Sequence, residues 1–340
     1  MKEYYEDMSA VMLREYVGDI SQLADAREGR LVDGRSDGMR VIDVKTAKGL
    51  SFSILPSRGM DIAWASYKGL PLSFISKAGV VHPAYFEKDG MGFLRSFTCG
   101  MLTTCGLTYM GAPCEDENEM LGLHGRISNI PAQNVSIRKD WNGNRYEINV
   151  SGEVQESRMF GENIKLIREF RTALDSSEIV VHDVIENCGF EKQPFMLLYH
   201  LNFGFPLVGE DTVLVHSAAK VIPRDAEAEK GLETYNTYEK PTSGYQEQVF
   251  YLDFNDCGEA FCQLWNEKIQ KGVRVCFTTN EFKYFGVWKM MGKGDYVVGL
   301  EPCTWKPEGR AAARASGELE YIMPGEKREF TFVLKVIEKC

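Results

Sequence analysis

From residue 39 to the C-terminus, the apolar residues of this chain recur with period two in short runs spaced roughly ten residues apart. Alternating side chains point to opposite faces of an extended backbone, so each run is a strand that must pair with neighbours and bury one face. Between residues 39 and 76, runs rich in Val, Ile, Phe and Leu break at Lys48-Gly49, Ser57-Arg58-Gly59 and Lys68-Gly69, which is hairpin punctuation. Strand patterns resume with YEINVSGEVQE, NIKLIREFRTAL, SEIVVHDVIEN and PFMLLYHLNF. They continue through EQVFYLDF, AFCQLWN, GVRVCFTT, YFGVWKMM and YVVGLEP to REFTFVLKVIEK. Val180, Val181, Val184 and Ile185 would sit on both faces of their strand, as expected of a strand covered on both sides. So many short strands without long helices predict a mostly-β chain, a large antiparallel β-sandwich.

Helical spacing occurs at the start alone, where 4–23 would set Met12, Leu13, Tyr16 and Val17 on one side of a short N-terminal helix. The segment 89–131 is rich in Gly, Cys and Met and weakly periodic; an ordered connection of that length in a compact domain is a place to look for function. The acidic stretch 224–240 reads as a surface excursion. With no internal repeat and no Pro/Gly/Ser linker, 1–340 reads as one domain, with 1–30 as a helical extension.

Composition narrows the partners. With 39 basic against 49 acidic residues, the formal charge is −10, a field that repels phosphate backbones and anionic lipid, so neither nucleic acid nor membrane is expected. The acidic N-terminus lacks the pattern of a signal peptide, and no window approaches a membrane span, which makes the cytoplasm the expected location. The 9 cysteines, without a C-x-x-C pair, read as reduced and mostly buried thiols, giving zinc little support.

Of the 5 histidines, two stand in unusual settings. His124 lies in GLHGRISNIPA, between glycines that let the backbone turn, with Arg126 two residues on and facing the same way in an extended segment. His200 ends the apolar run PFMLLYH, with Asn202 just beyond at the rim of a sheet. Each also reads as a hydrogen-bonded structural residue. His182 reads as a half-buried strand residue, and His82 and His216 as loop and strand-edge residues without a role. Glu301, in YVVGLEPCTW, closes an apolar strand before a proline. It is either a surface carboxylate, the first expectation, or a partly buried one with a raised pKa. Arg310 either reaches back toward it or is solvated. Trp288 and Trp305 read as core, with Trp305 the candidate for a ligand-stacking surface. G-x-G-x-x-G, G-x-x-x-x-G-K-[ST] and G-x-S-x-G are absent.

Taken in order, PSRGMDI, FLRSFTCGMLTTCGL, GLHGRISNIPA, LLYHLNFGFPLV, GYQEQVFYL, VGLEPCTW and GELEYIMPGE span nearly the whole chain. Together they resemble the aldose-1-epimerase (galactose mutarotase-like) superfamily, in particular a bacterial mutarotase-like branch. The resemblance implies the supersandwich fold and an enzyme that interconverts sugar anomers. It places the general acid at His200, in YHLNFG, and the general base at Glu301, in GLEP. Leu123-His124-Gly125 matches the family's substrate-binding L-H-G. Arg95 is the nearest counterpart of its binding arginine, although the surrounding residues differ, and Glu247 stands where the family has an aspartate that contacts sugar hydroxyls. Arg126 corresponds loosely to an arginine of hexose-6-phosphate epimerases, and Arg58 belongs to the branch's own SRGMDI signature.

Anomer exchange needs one group to protonate the ring oxygen and another to take the C1 hydroxyl proton, and His and Glu suit both tasks near neutral pH. No cofactor, metal or nucleotide is implied. The expected partner is a small sugar, and the chain a monomer or homodimer. Three rival readings stay open. A phosphosugar epimerase would gather Arg58, Arg95, Arg126 and Arg310 around the phosphate. The others are a non-catalytic sugar-binding protein and an epimerase or isomerase of an uncommon sugar.

Overall fold

A computed structural model of the chain describes residues 8–255 and 258–339. Five strands form a first antiparallel sheet in chain order: β1 Asp25–Arg30, β2 Arg40–Lys45, β3 Leu50–Leu55, β4 Asp61–Tyr67 and β5 Leu70–Pro71. They turn at the three breaks expected from the sequence. The segment that follows holds β6 Thr103–Leu107 and a small hairpin, β7 Cys114–Asp116 with β8 Glu119–Leu121. Then come β9 Gln133–Asn142, β10 Arg145–Ser157, β11 Asn163–Ala173, β12 Glu178–Asn187 and β13 Gln193–Gly204. Two short strands, β14 Thr212–His216 and β15 Lys220–Pro223, lead to β16 Gln248–Asp253, β17 Glu259–Asn266, β18 Lys271–Thr278, β19 Tyr284–Gly292 and β20 Asp295–Cys303. The chain closes with β21 Glu320–Ile322 and β22 Lys327–Glu338.

These strands build an 8-stranded sheet in the order β14-β17-β18-β22-β12-β11-β10-β9 and a 7-stranded sheet containing β15-β16-β19-β20-β13-β21, with β6 also pairing β13. The expected antiparallel sandwich is the one observed. Its two large sheets close on a shared apolar core, in which Phe195 stacks on Phe330, Phe277 on Phe285, and Tyr199 leans on Phe332. The first sheet adds Ile42, Phe52, Ile54 and Ile62 to that core.

The N-terminal helix is shorter than its spacing predicts. Among the described residues α1 covers Ala10–Tyr16, capped by the Ser9 side chain, which accepts from the Met12 amide. It buries Ala10 and Leu13 and leaves Met12 and Tyr16 exposed. The expected residues 4–7 lie outside the described range. The two-sided burial predicted for β12 is also replaced: its residues alternate between buried and half-buried, whereas β13 is buried without interruption from Phe195 to Gly204. Seven described cysteines are free, four of them buried; Cys257 and Cys340 lie outside the described residues. No helix among the described residues is long and apolar enough to cross a membrane.

Candidate active site

Strand alternation decides which side chains face away from the core. On β13, Leu197, Tyr199 and Leu201 enter the main core, so His200 and Asn202 project from the opposite face of the sheet. On the neighbouring β20, Val298 and Leu300 go inward, and Glu301 stands on the same outer face as His200. β19 contributes Gly286, directly opposite Glu301, and Trp288. Phe97, His124 and Leu123 of the segment 89–131 cover this face and leave a cavity of about 270 Å³. A larger concavity of about 460 Å³ over the first sheet holds no facing acid–base pair of buried side chains among its lining residues.

His200 Nε2 and Glu301 Oε1 are 3.2 Å apart, and the two residues are 5% and 3% exposed. Phe97 and Trp288 pack edge-on against the His200 ring, both with centroids at 5.2 Å, and the His124 ring stands nearly perpendicular to it at 5.8 Å. His124 takes a left-handed φ of 60°, and Gly125 follows at 83°. A Cβ at Gly125 would meet the Gly106 carbonyl at 2.2 Å, so this turn needs glycine there. Room for the pair comes from two more glycines. A Cβ at Gly286 would lie 2.8 Å from Glu301 Oε2, and one at Gly299 would lie 2.7 Å from Oε1 and 3.1 Å from His200 Cε1.

Burial governs the electrostatics. It pushes Glu301 up to about 8, helped by the charge of Glu247 and opposed by Arg224. It pulls His200 down to about 3, with the neighbouring His124 adding to the shift and Asn202 opposing it, and His124 down to about 4. Both shifts favour the uncharged forms, so near neutral pH the pair resists both a second proton and the loss of its one exchangeable proton, which belongs to the two groups together. At the mouth, Arg224 donates through both Nη atoms to Glu247 Oε1 at 3.2 Å, and Glu247 Oε2 accepts from Trp288 Nε1 at 2.9 Å.

A family described as a domain of unknown function (DUF4432) matches residues 36–336. The chain belongs to this DUF4432 family. None of the curated proteins matches it. Among solved structures, a "putative aldose 1-epimerase" from Klebsiella pneumoniae is 26% identical and superposes with a TM-score of 0.86, covering 92% of this chain and 83% of that one. A galactose mutarotase-like protein from Clostridium acetobutylicum is 14% identical with a TM-score of 0.66, covering 94% and 100%. Galactose 1-epimerase from Lactobacillus acidophilus is 14% identical with a TM-score of 0.54, covering 93% and 100%. The fold of this DUF4432 member is thus the galactose mutarotase-like sandwich.

In this DUF4432 chain, four residues singled out from the sequence line the cavity: His200, Glu301, His124 and Glu247. Glu301 is buried rather than at the surface. The other six are engaged elsewhere. Arg58 is buried beside the first sheet, where it donates to the Val81 carbonyl at 2.7 Å and faces Asp61. Arg95 is exposed and pairs with Glu87. Arg126 pairs with Glu119 and Glu162 and lies over the Tyr109 ring. Arg310 neither reaches Glu301 nor is solvated; it is buried against Asp116 and Glu119 of the small hairpin. Asn202 is wholly buried, donates to the His200 carbonyl at 2.8 Å and does not line the cavity. Trp305 is buried among Cys105, Met110 and Cys303, while Trp288, read as core, faces the cavity. Sequence reasoning missed Arg224, inside the stretch read as a surface excursion, together with Gly286 and Gly299. Nothing local marks them, because their partners lie on other strands.

His182, half-buried on β12, meets the Thr331 hydroxyl, and His82 Nδ1 accepts from the Ala84 amide, both structural contacts. His216 meets the Tyr235 hydroxyl. No cluster of His, Cys, Asp and Glu among the described residues is placed to hold a metal ion.

Proposed function

We propose that this chain is an aldose 1-epimerase-type isomerase acting on a free, neutral sugar. The observation that carries the reading is the His200–Glu301 pair, 3.2 Å apart at the floor of a small cavity walled by Phe97 and Trp288. The ring oxygen and the C1 hydroxyl of a sugar are bonded to one carbon, so they are closer than a hydrogen bond. Two catalytic atoms at the separation of His200 Nε2 and Glu301 Oε1 can each address one of them. The pair carries a single proton. Moving it across the contact converts the neutral form into imidazolium and carboxylate, with His200 as acid and Glu301 as base.

In the reaction, His200 gives its proton to the ring oxygen while Glu301 takes the C1 hydroxyl proton, and the bond from C1 to the ring oxygen breaks. The product is the open-chain aldehyde. Rotation of C1 and the reverse transfers close the ring on the other face, so the catalyst returns unchanged and no co-reactant enters. Each proton transfer contributes typically on the order of 10²–10⁴-fold. His124, Glu247 and Arg224 would hold the hydroxyls. Against a phosphorylated substrate, the four arginines considered for a phosphate do not line this cavity, and three of them sit in ion pairs.

Glu301→Gln keeps the shape of the side chain but removes the proton carrier. Anomer exchange measured by NMR should fall by about 10²–10⁴-fold, with sugar binding retained and the melting temperature near neutral pH at or above wild type. Wild-type turnover in that variant would end the proposal.

A further inference from the structure

The walls of the cavity divide by origin. The strands and their ends supply all of its charged groups: Glu301 on β20, Glu247 at the start of β16 and Arg224 just after β15. The segment 91–124 contributes the opposite wall: Met91, Leu94, Phe97, Pro113 and Leu123, with His124 its one titratable group on the cavity.

Four backbone amides of that wall are already engaged. The amide of Leu94 donates to Met91, that of Leu123 to Gly90, that of His124 to Gly111 and that of Ala112 to Pro307. Pro113 and Pro307 carry no amide hydrogen. Met91 and Leu94 stand at the cavity 56% and 48% exposed, large apolar side chains facing water beside a polar floor. The charged side is the reverse. Arg224 spends three of its five N–H groups on Asp225 and Glu247, which leaves two to donate, and Glu247 keeps lone pairs to accept. A pair of sugar hydroxyls satisfies both.

We infer that the substrate is a neutral sugar that presents hydroxyls to Arg224 and Glu247 and a methyl group to the Met91–Leu94 wall, the class of the 6-deoxyhexoses. This inference rests on the epimerase reading above. A methyl group there takes the exposed faces of Met91 and Leu94 out of water, whereas a hydroxymethyl group sets a polar hydroxyl against them, which disfavours it by about 10-fold. A phosphate there is excluded more strongly.

The test compares matched pairs on the full chain by exchange NMR: D-fucose with D-galactose, L-fucose with L-galactose, and L-rhamnose with L-mannose, with galactose 6-phosphate as a further arm. For at least one pair, the 6-deoxy sugar is expected to exchange with a kcat/KM at least about 10-fold above its hydroxylated parent. Leu94→Gln, at a half-exposed position, should narrow that ratio to within a few-fold. Parents that match or exceed their deoxy partners, or a ratio unmoved by Leu94→Gln, overturn the inference while leaving the epimerase reading standing. Preferential turnover of the phosphate also overturns it. Absence of exchange with every sugar removes the epimerase reading, and this inference falls with it.

Discussion

At the scale of single residues, the site is a matter of side chains denied water. Glu301 lies among strands and beneath Trp288, so its carboxyl holds a proton up to about pH 8, and His200 resists a second proton down to about pH 3. The singly protonated pair is the form that can give and take a proton. Exchange rates corrected for the uncatalysed reaction should therefore stay level from about pH 5 to 7 and fall as pH rises through about 8. A rate that climbs between pH 7 and 9 contradicts this assignment. Position matters as much as protonation. Gly286→Ala brings a Cβ to 2.8 Å from Glu301 Oε2, against the movable end of the side chain and no backbone atom. The carboxylate must swing away, and misplacement by about an ångström costs roughly 10²-fold in rate. A melting temperature near wild type with that loss of rate is the expected result, and full activity would show that the site tolerates the shift.

At the scale of elements, β13 is the strand on which the site is built. It lies between β20 and β6, is buried on both faces, and sends alternate residues to the core and to the cavity. Its core-facing Tyr199 donates to Asp183 Oδ2 at 2.5 Å. Asp183 on β12 is held by Arg168 on β11, whose Nη1 also reaches Asp61 on β4 at 3.1 Å. One buried guanidinium thus ties the first sheet to the large one, behind the strand that carries His200. Arg168→Met leaves two carboxylates buried without their cation and should cost about 3–5 kcal/mol in urea unfolding. A loss below about 1 kcal/mol would mean that the network is relaxed by water or by protonation of Asp61, which burial already pushes up to about 6.

At the scale of the molecule, buried titratable groups set the pH window of stability. The folded state raises Glu301 to about 8, and Asp61 and Glu156 to about 6. Unfolding lets these carboxyls ionise, so their stabilisation is complete at low pH and is lost as pH rises from the ordinary carboxylate range through those values. His124 and His200 are depressed, so the unfolded chain takes up protons below about 6.5 and stability declines on that side as well. Thermal melts should peak between about pH 5 and 6.5, and Glu301→Gln should flatten the alkaline arm. A wild-type melting temperature that rises steadily to pH 9 runs against this account. We propose that the chain unfolds as one unit, since a single core draws on residues from Leu13 to Val336.

Period two in the hydrophobic pattern, together with Gly-centred breaks, was enough to foretell a mostly-β sandwich and the meander 39–76, because alternation and turn chemistry are local properties of a backbone. Ordered tokens along the chain pointed to His200, His124, Glu301 and Glu247, residues that then share one cavity. The fates of the arginines were not legible: Arg58 went to the Val81 carbonyl, Arg126 to Glu119 and Glu162, and Arg310 to Asp116, 194 positions away. Nor were Arg224, Trp288 and the two glycines beside Glu301, nor the burial that lifts its pKa. Those depend on which strands become neighbours and which face each strand turns outward. That choice is made when two large sheets and a covering segment close on one core, and no local stretch of sequence contains it.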